Sequence, residues 1–148
     1  MAGIVFFASP GEVATGTSAK TLLQIVAPAN QRQKLKEWGM FCKGVTPTDS
    51  PIKVRLLRQT TAGTMSALTL TKRNTSGGET IQSTAQYSAS VEPTAGDVIA
   101  TVEVHPQLGY HDKLSFGDEI INPGGGRIGI EVTAGVSISV VPFIVAEE

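Results

Sequence analysis

The stretch INPGGGRIGIEV, Ile121 to Val132, sets three consecutive glycines before Arg127, a pattern that could cradle a phosphate. A phosphate loop needs Gly-x-x-x-x-Gly-Lys-Ser/Thr running into a helix, so that backbone amides converge on the anion beside the lysine. Here no Lys or Ser/Thr follows, and Ile128, Ile130 and Val132 alternate as strand residues do. A dinucleotide fold fails on the same ground, because its glycine turn must open a helix. The expectation is a tight turn between two strands, with Arg127 on the solvent face of the second. His105 and His111 stand six residues apart in HPQLGYHD. A metal would need further ligands from Asp112, Asp118 or Glu119, and the His-x-His spacing of metal-binding cupins is absent, so both read as solvated loop histidines. Cys42, the single cysteine, can form neither an intrachain disulfide nor a thiolate cluster and reads as a small buried hydrophobe. No Gly-x-Ser-x-Gly elbow presents a nucleophile to a base and an orienting acid. The carboxylate pairs in GDE and AEE read as exposed charges. These residues predict no enzyme, no cofactor and no metal.

The elements that would position them are strands. A chain of 148 residues fits one domain, which buries roughly 70% of the surface its unfolded form exposes. Charged residues make up 17%, below the ordinary ~25%, while Gly and Thr are plentiful: a composition of strands and turns. A net charge of -1 gives no general pull toward nucleic acid or an anionic membrane. The opening MAGIVFFASPG has an apolar run without a basic residue before it and is not read as a secretion signal. The longest apolar stretch, VVPFIVA, is far short of the ~20 residues that span a bilayer. Period-2 alternation predicts strands over Ile4–Phe7, Thr21–Val26, Ile52–Gln59, Met65–Lys72 and Ile81–Ser90. Val98, Ala100, Val102 and Val104 share a face in a further strand, as do Ile128, Ile130 and Val132, then Val136, Ile138 and Val140. APAN, TPTDSP, NTSGG, EPTAGD and NPGGG punctuate them. The pattern argues for an all-β sandwich.

Asn30 to Gly44 admits two readings. A helix capped by Asn30 would have only Leu35 and Trp38 as its apolar stripe; a long strand would point Trp38, Met40 and Cys42 inward. The strand is preferred because alternation continues past Gly39, and Trp38 then belongs to the core. Thr-Ala-Gly recurs at 61–63, 94–96 and 133–135 with unlike flanks, which reads as a reused turn with a glycine able to take positive φ.

The segments AKTLLQIVAPANQRQKLKEWGMFCKG, SPIKVRLLRQTTAGT, VEPTAGD, VHPQLGY and GGGRIGIEVTAG resemble small head proteins of tailed bacteriophages that decorate or cement the capsid. The resemblance runs from Ala19 to Glu148. It implies a single antiparallel, jelly-roll-like sandwich over 19–148, commonly trimeric, made in the host cytoplasm and seated on the outer capsid surface against the major capsid protein, without catalysis. Residues 1–18 then have two readings: an extended arm in which Ile4, Val5, Phe6 and Phe7 are candidate partner contacts, or a segment that includes the first strand of the sandwich. The rival function is a receptor- or glycan-binding sandwich, weakened because aromatics are 5% of the chain and its Tyr and Trp residues are Trp38, Tyr87 and Tyr110.

Overall fold

A computed structural model describes residues 3–43, 50–74 and 77–148. Among them are thirteen strands: β1 (Val5–Ala8), β2 (Val13–Ala14), β3 (Lys20–Val26), β4 (Gln33–Lys43), β5 (Ile52–Gln59), β6 (Thr64–Leu68), β7 (Thr71–Lys72), β8 (Thr84–Val91), β9 (Ala95–Val104), β10 (Gly109–Lys113), β11 (Ile120–Asn122), β12 (Arg127–Thr133) and β13 (Ser139–Glu147). They form two antiparallel sheets packed as a sandwich. The first runs β10-β4-β13-β1-β7, with β11 on β4 and β2 on β13; the second runs β6-β8-β3-β12-β5-β9. Between them lie Phe6, Trp38, Met40 and Ile144 from the first sheet and Leu23, Ile25, Leu56, Ile128 and Ile130 from the second.

The segment with two readings is β4, a strand. Its apolar pair Leu35 and Trp38 both reach the core although they stand three positions apart, because β13 meets Leu35 at Ala146 and Glu37 at Val145. Lys36 is thus an extra residue on β4, a bulge that turns the strand by one position and lets a helix-like spacing serve a sheet. A second irregularity corrects the expected face of β9. Ala100, Val102 and Val104 line up with the core residues Leu56, Val54 and Ile52, but the register shifts between Leu56 and Leu57. Val98 is consequently 46% exposed, and Ile99 packs against the core instead. Val136 is likewise exposed in the turn before β13, not part of a strand.

The described part of this N-terminal segment, residues 3–18, is not an extended arm. β1 is an interior strand, paired with β13 through Val5–Glu147 to Ala8–Ile144 and with β7 on its other side. The pattern explains why: Phe6 and Ala8, two apart, are fully buried, which an arm in solvent could not achieve. Val13 and Ala14 continue the same edge as β2 against β13.

Asn122 braces the triple-glycine turn, donating from Nδ2 to the Gly126 carbonyl at 3.1 Å and to Gln33 Oε1 at 2.8 Å. Gly125 supplies φ +74°, costly for a residue with a Cβ, and the turn joins β11 to β12. Of the three Thr-Ala-Gly copies, only the first puts its glycine at positive φ (Gly63, +64°); Gly96 lies inside β9. The TPTDSP cluster falls outside the described residues except for Ser50 and Pro51, and NTSGG is described only at its ends.

The second sheet closes its outer face with polar side chains. Gln24 Nε2 donates to Gln59 Oε1 (2.6 Å), Gln59 Nε2 to Thr21 Oγ1 (2.9 Å), and Thr21 Oγ1 to Glu92 (2.7 Å). Gly129 makes the chain possible: a Cβ there would fall 2.7 Å from the Gln59 amide carbon. Arg55 and the largely buried Glu131 pair beside it at 2.5 Å.

Candidate functional site

The first sheet treats its outer face differently. Val140, Ile144 and Ala146 of β13, Phe6 and Ala8 of β1 and Trp38 and Met40 of β4 enter the core. Their alternates Val141, Phe143, Val145, Phe7, Gly39 and Phe41 must therefore face outward. Three rings form a row across that face: Phe7 and Phe143 with centroids 6.3 Å apart, then Phe143 and Phe41 at 5.7 Å and nearly parallel. Two glycines seat them. A Cβ on Gly39 would fall 2.8 Å from the Phe143 ring, and one on Gly109 would collide with the ring of Phe41. Phe143 and Phe41 thus each lie over a glycine of the adjacent strand, an arrangement that compensates for the missing side chain. Phe143 is nearly covered, whereas Phe41 is 52% exposed. Leu108, in the turn whose carbonyl accepts the Cys42 N–H, is exposed next to it.

Beyond the aromatic row the face becomes charged. Glu37, largely buried, is met by two side chains of β10, His111 Nε2 at 3.3 Å and Lys113 Nζ at 3.7 Å, and by Arg73, just past β7, at 3.8 Å. His111 also tilts against Phe143, 5.4 Å away, so it belongs to β10 and the sheet face rather than to a solvated loop. His105 stays in the turn, where its Nδ1 accepts the Gln107 N–H at 3.2 Å. Among the described residues no three His, Cys, Asp or Glu side chains converge as metal ligands.

The expected exposed carboxylates are engaged. Lys36 pairs with Glu147 at 2.5 Å. This hydrogen bond, together with the Gly3 N–H, holds the Glu147 carboxyl below the usual carboxylate range against an opposing effect of burial. Glu148 accepts from the N–H groups of Gln82 and Ser83, both at 2.7 Å. Glu119 is held low by its own N–H and that of Gly117.

The four N-terminal candidates divide by strand geometry. Phe6 points into the core, Phe7 and Val5 point outward, and Ile4 exchanges backbone bonds with Glu148 at 3.0 and 3.1 Å. Cys42 is half-buried against the core, and burial pushes its thiol up to about 11. Only the thiolate attacks a disulfide reagent, so the raised value reduces the reactive fraction roughly 100-fold. An aromatic disulfide at pH 8 should therefore label the folded chain at least tenfold more slowly than the urea-unfolded one. Equal rates would show a freely titrating thiol.

Among the described residues no helix is long and apolar enough to cross a membrane. In comparisons with family models, curated proteins and solved structures, nothing matches this chain.

Proposed function

We propose that this chain is a structural virion protein that adheres to the outer surface of an assembled phage capsid and stabilises it without catalysis. The observation that carries the reading is the aromatic row on the first sheet, with Phe41 half exposed beside Leu108. Exposed apolar surface on a folded domain marks a contact. The sandwich beneath holds the rings in fixed positions, so little ordering cost is left for binding. The resemblance described above supplies the partner, a major capsid protein, and a jelly-roll-like connectivity belongs to the same proposal. A subunit that binds the shell but not free coat protein adds its binding free energy to the assembled state by mass action.

The glycan-binding reading is less well supported, because stacking on sugars needs open aromatic faces. Trp38 is fully buried, and Tyr87 and Tyr110 pack against the core.

The test is co-sedimentation with shells, and separately with unassembled coat protein, of a tailed phage whose genome encodes this chain. Burying an aromatic side chain contributes roughly 1.5–3 kcal/mol. Phe41→Ser, at a half-exposed position, is expected to stay folded with a modestly lowered melting temperature, from the lost stacking on Phe143, and to weaken shell binding by about tenfold or more. Wild-type chain that stays in the supernatant with shells would overturn the proposal.

A further inference from the structure

The largest anomaly on the surface lies at the other end of the same face. Phe116 is 97% exposed, yet it does not sit in a loose loop. The Leu114 N–H bonds the Lys36 carbonyl and the Asp118 N–H bonds the Ser115 carbonyl, both at 2.9 Å. Gly117 turns the chain at φ +96°, and its N–H donates to Glu119 Oε2 at 2.7 Å. The turn therefore holds the backbone that carries this exposed aromatic ring, and Asp118 and Glu119 follow it in the chain.

Beside the turn lies a groove of about 340 Å³. Val5, Leu114 and Phe116 contribute its apolar surface above the covered Val145, and Lys36, Arg73 and Lys113 stand around it with the carboxylates of Glu37 and Glu119. A cavity of ~150 Å³ already accepts benzene, so a phenyl ring fits with room to spare. Cationic side chains flanking an apolar surface suit the negative face of such a ring. Arg73 and Lys113 are held only at 3.8 and 3.7 Å from Glu37, with 49% and 73% of their side chains exposed. They are free to turn toward a second carboxylate. The groove thus asks for an aromatic side chain followed by acidic ones, and the Ser115–Glu119 turn is that chemistry.

We propose that a second copy of this chain occupies the groove, each copy seating Phe116 in the groove of the other while Asp118 approaches the partner's Arg73 and Lys113. Phe116 itself forms part of the wall of its own groove while remaining almost wholly exposed. Knob and hole therefore belong to one patch, which closes as a two-fold pair rather than a ring of three. One exchanged turn is a small interface, so the pair is weak. It forms independently of any capsid.

The test is sedimentation velocity of the full chain from about 1 µM to about 1 mM, a span that brackets weak pairs. Wild type is expected to pass from monomer to dimer. Phe116→Ser, which removes an exposed ring, is expected to melt as wild type does and remain monomeric throughout. Asp118→Lys alone is expected to raise the dissociation constant at least tenfold, and the double variant Asp118→Lys with Lys113→Glu to recover most of that loss. The recovery separates a charge-matched pair from nonspecific sticking. A wild type monomeric at the highest concentration, a trimer, or a dimer indifferent to Phe116→Ser would overturn the proposal.

Discussion

A chain lacking residues 1–17 is expected not to fold. The deletion takes out β1 from between β13 and β7 and with it β2. Phe6 and Ala8 are 0% exposed and Val13 9%, so three core positions become holes. Losing a buried Phe side chain alone costs about 3–5 kcal/mol, and whole domains are stable by only about 5–15 kcal/mol. The damage extends past the core. β13 loses the partner of Phe6, Phe7 and Ala8 along Ile144 to Ala146, which leaves backbone donors and acceptors unpaired along an apolar strand. β7 is left with nothing to pair against, and Phe143 loses one of its stacked neighbours. Circular dichroism and thermal melting of the truncated chain check this. A cooperative melt within a few degrees of wild type would show that β1 is dispensable.

Trp38→Ala should cost about 3–5 kcal/mol, the largest effect expected of a single truncation. Trp38 is fully buried, packed 5.1 Å from the Tyr110 ring. Its replacement by Phe carries a sharper expectation. The indole Nε1 is buried without a hydrogen-bond partner in the protein, and an unsatisfied donor costs about 1–3 kcal/mol. Trp38→Phe removes that donor along with part of the ring, so the two effects oppose and the net loss should stay below about 2 kcal/mol. Urea unfolding followed by circular dichroism measures both, since the only tryptophan is gone. If the Phe variant were as unstable as the Ala variant, the indole N–H would have to be satisfied in the native state.

Alternation made most of the second sheet legible. Ile52–Gln59 has the bounds expected, and Arg127–Thr133 extends the expected strand by a residue at each end. Alternation misleads where a bulge intervenes, as it did at Val98 and Ile99, because a shift of one residue exchanges the two faces of a strand. β10 was hidden in HPQLGYHD, whose Pro and Gly speak for a turn; only Pro106 to Leu108 bends, and Gly109 begins the strand. The aromatic face leaves a trace in the sequence. VVPFIVA and IVFFA are apolar at successive positions, the pattern of strands covered on both sides, and an all-apolar run invites the question of a membrane before that of a second face. Gly39 is a further clue, since a glycine inside an alternating run marks close approach by something else. The cluster around Glu37 left no comparable trace. Arg73, His111 and Lys113 are far from Glu37 in sequence, and only the order of strands across the sheet brings them together.

The order of strands also bears on how the chain is made. β13 is the shared neighbour of β4, β1 and β2, and β12 stands between β3 and β5. Both follow the strands they join, and so leave a ribosome after them. Until Arg127 to Glu147 emerge, β1 and β4 have no partner in common and β3 and β5 cannot be joined, so the preceding strands wait in separate groups, such as β3 with β8 and β5 with β9, for their centre. At about 5–20 residues per second that wait lasts seconds. Closure then depends on contacts between distant parts of the chain, which places folding among the slow β topologies, at milliseconds to seconds. Nascent copies translated close together are thus exposed to one another's unpaired strands before each can complete itself.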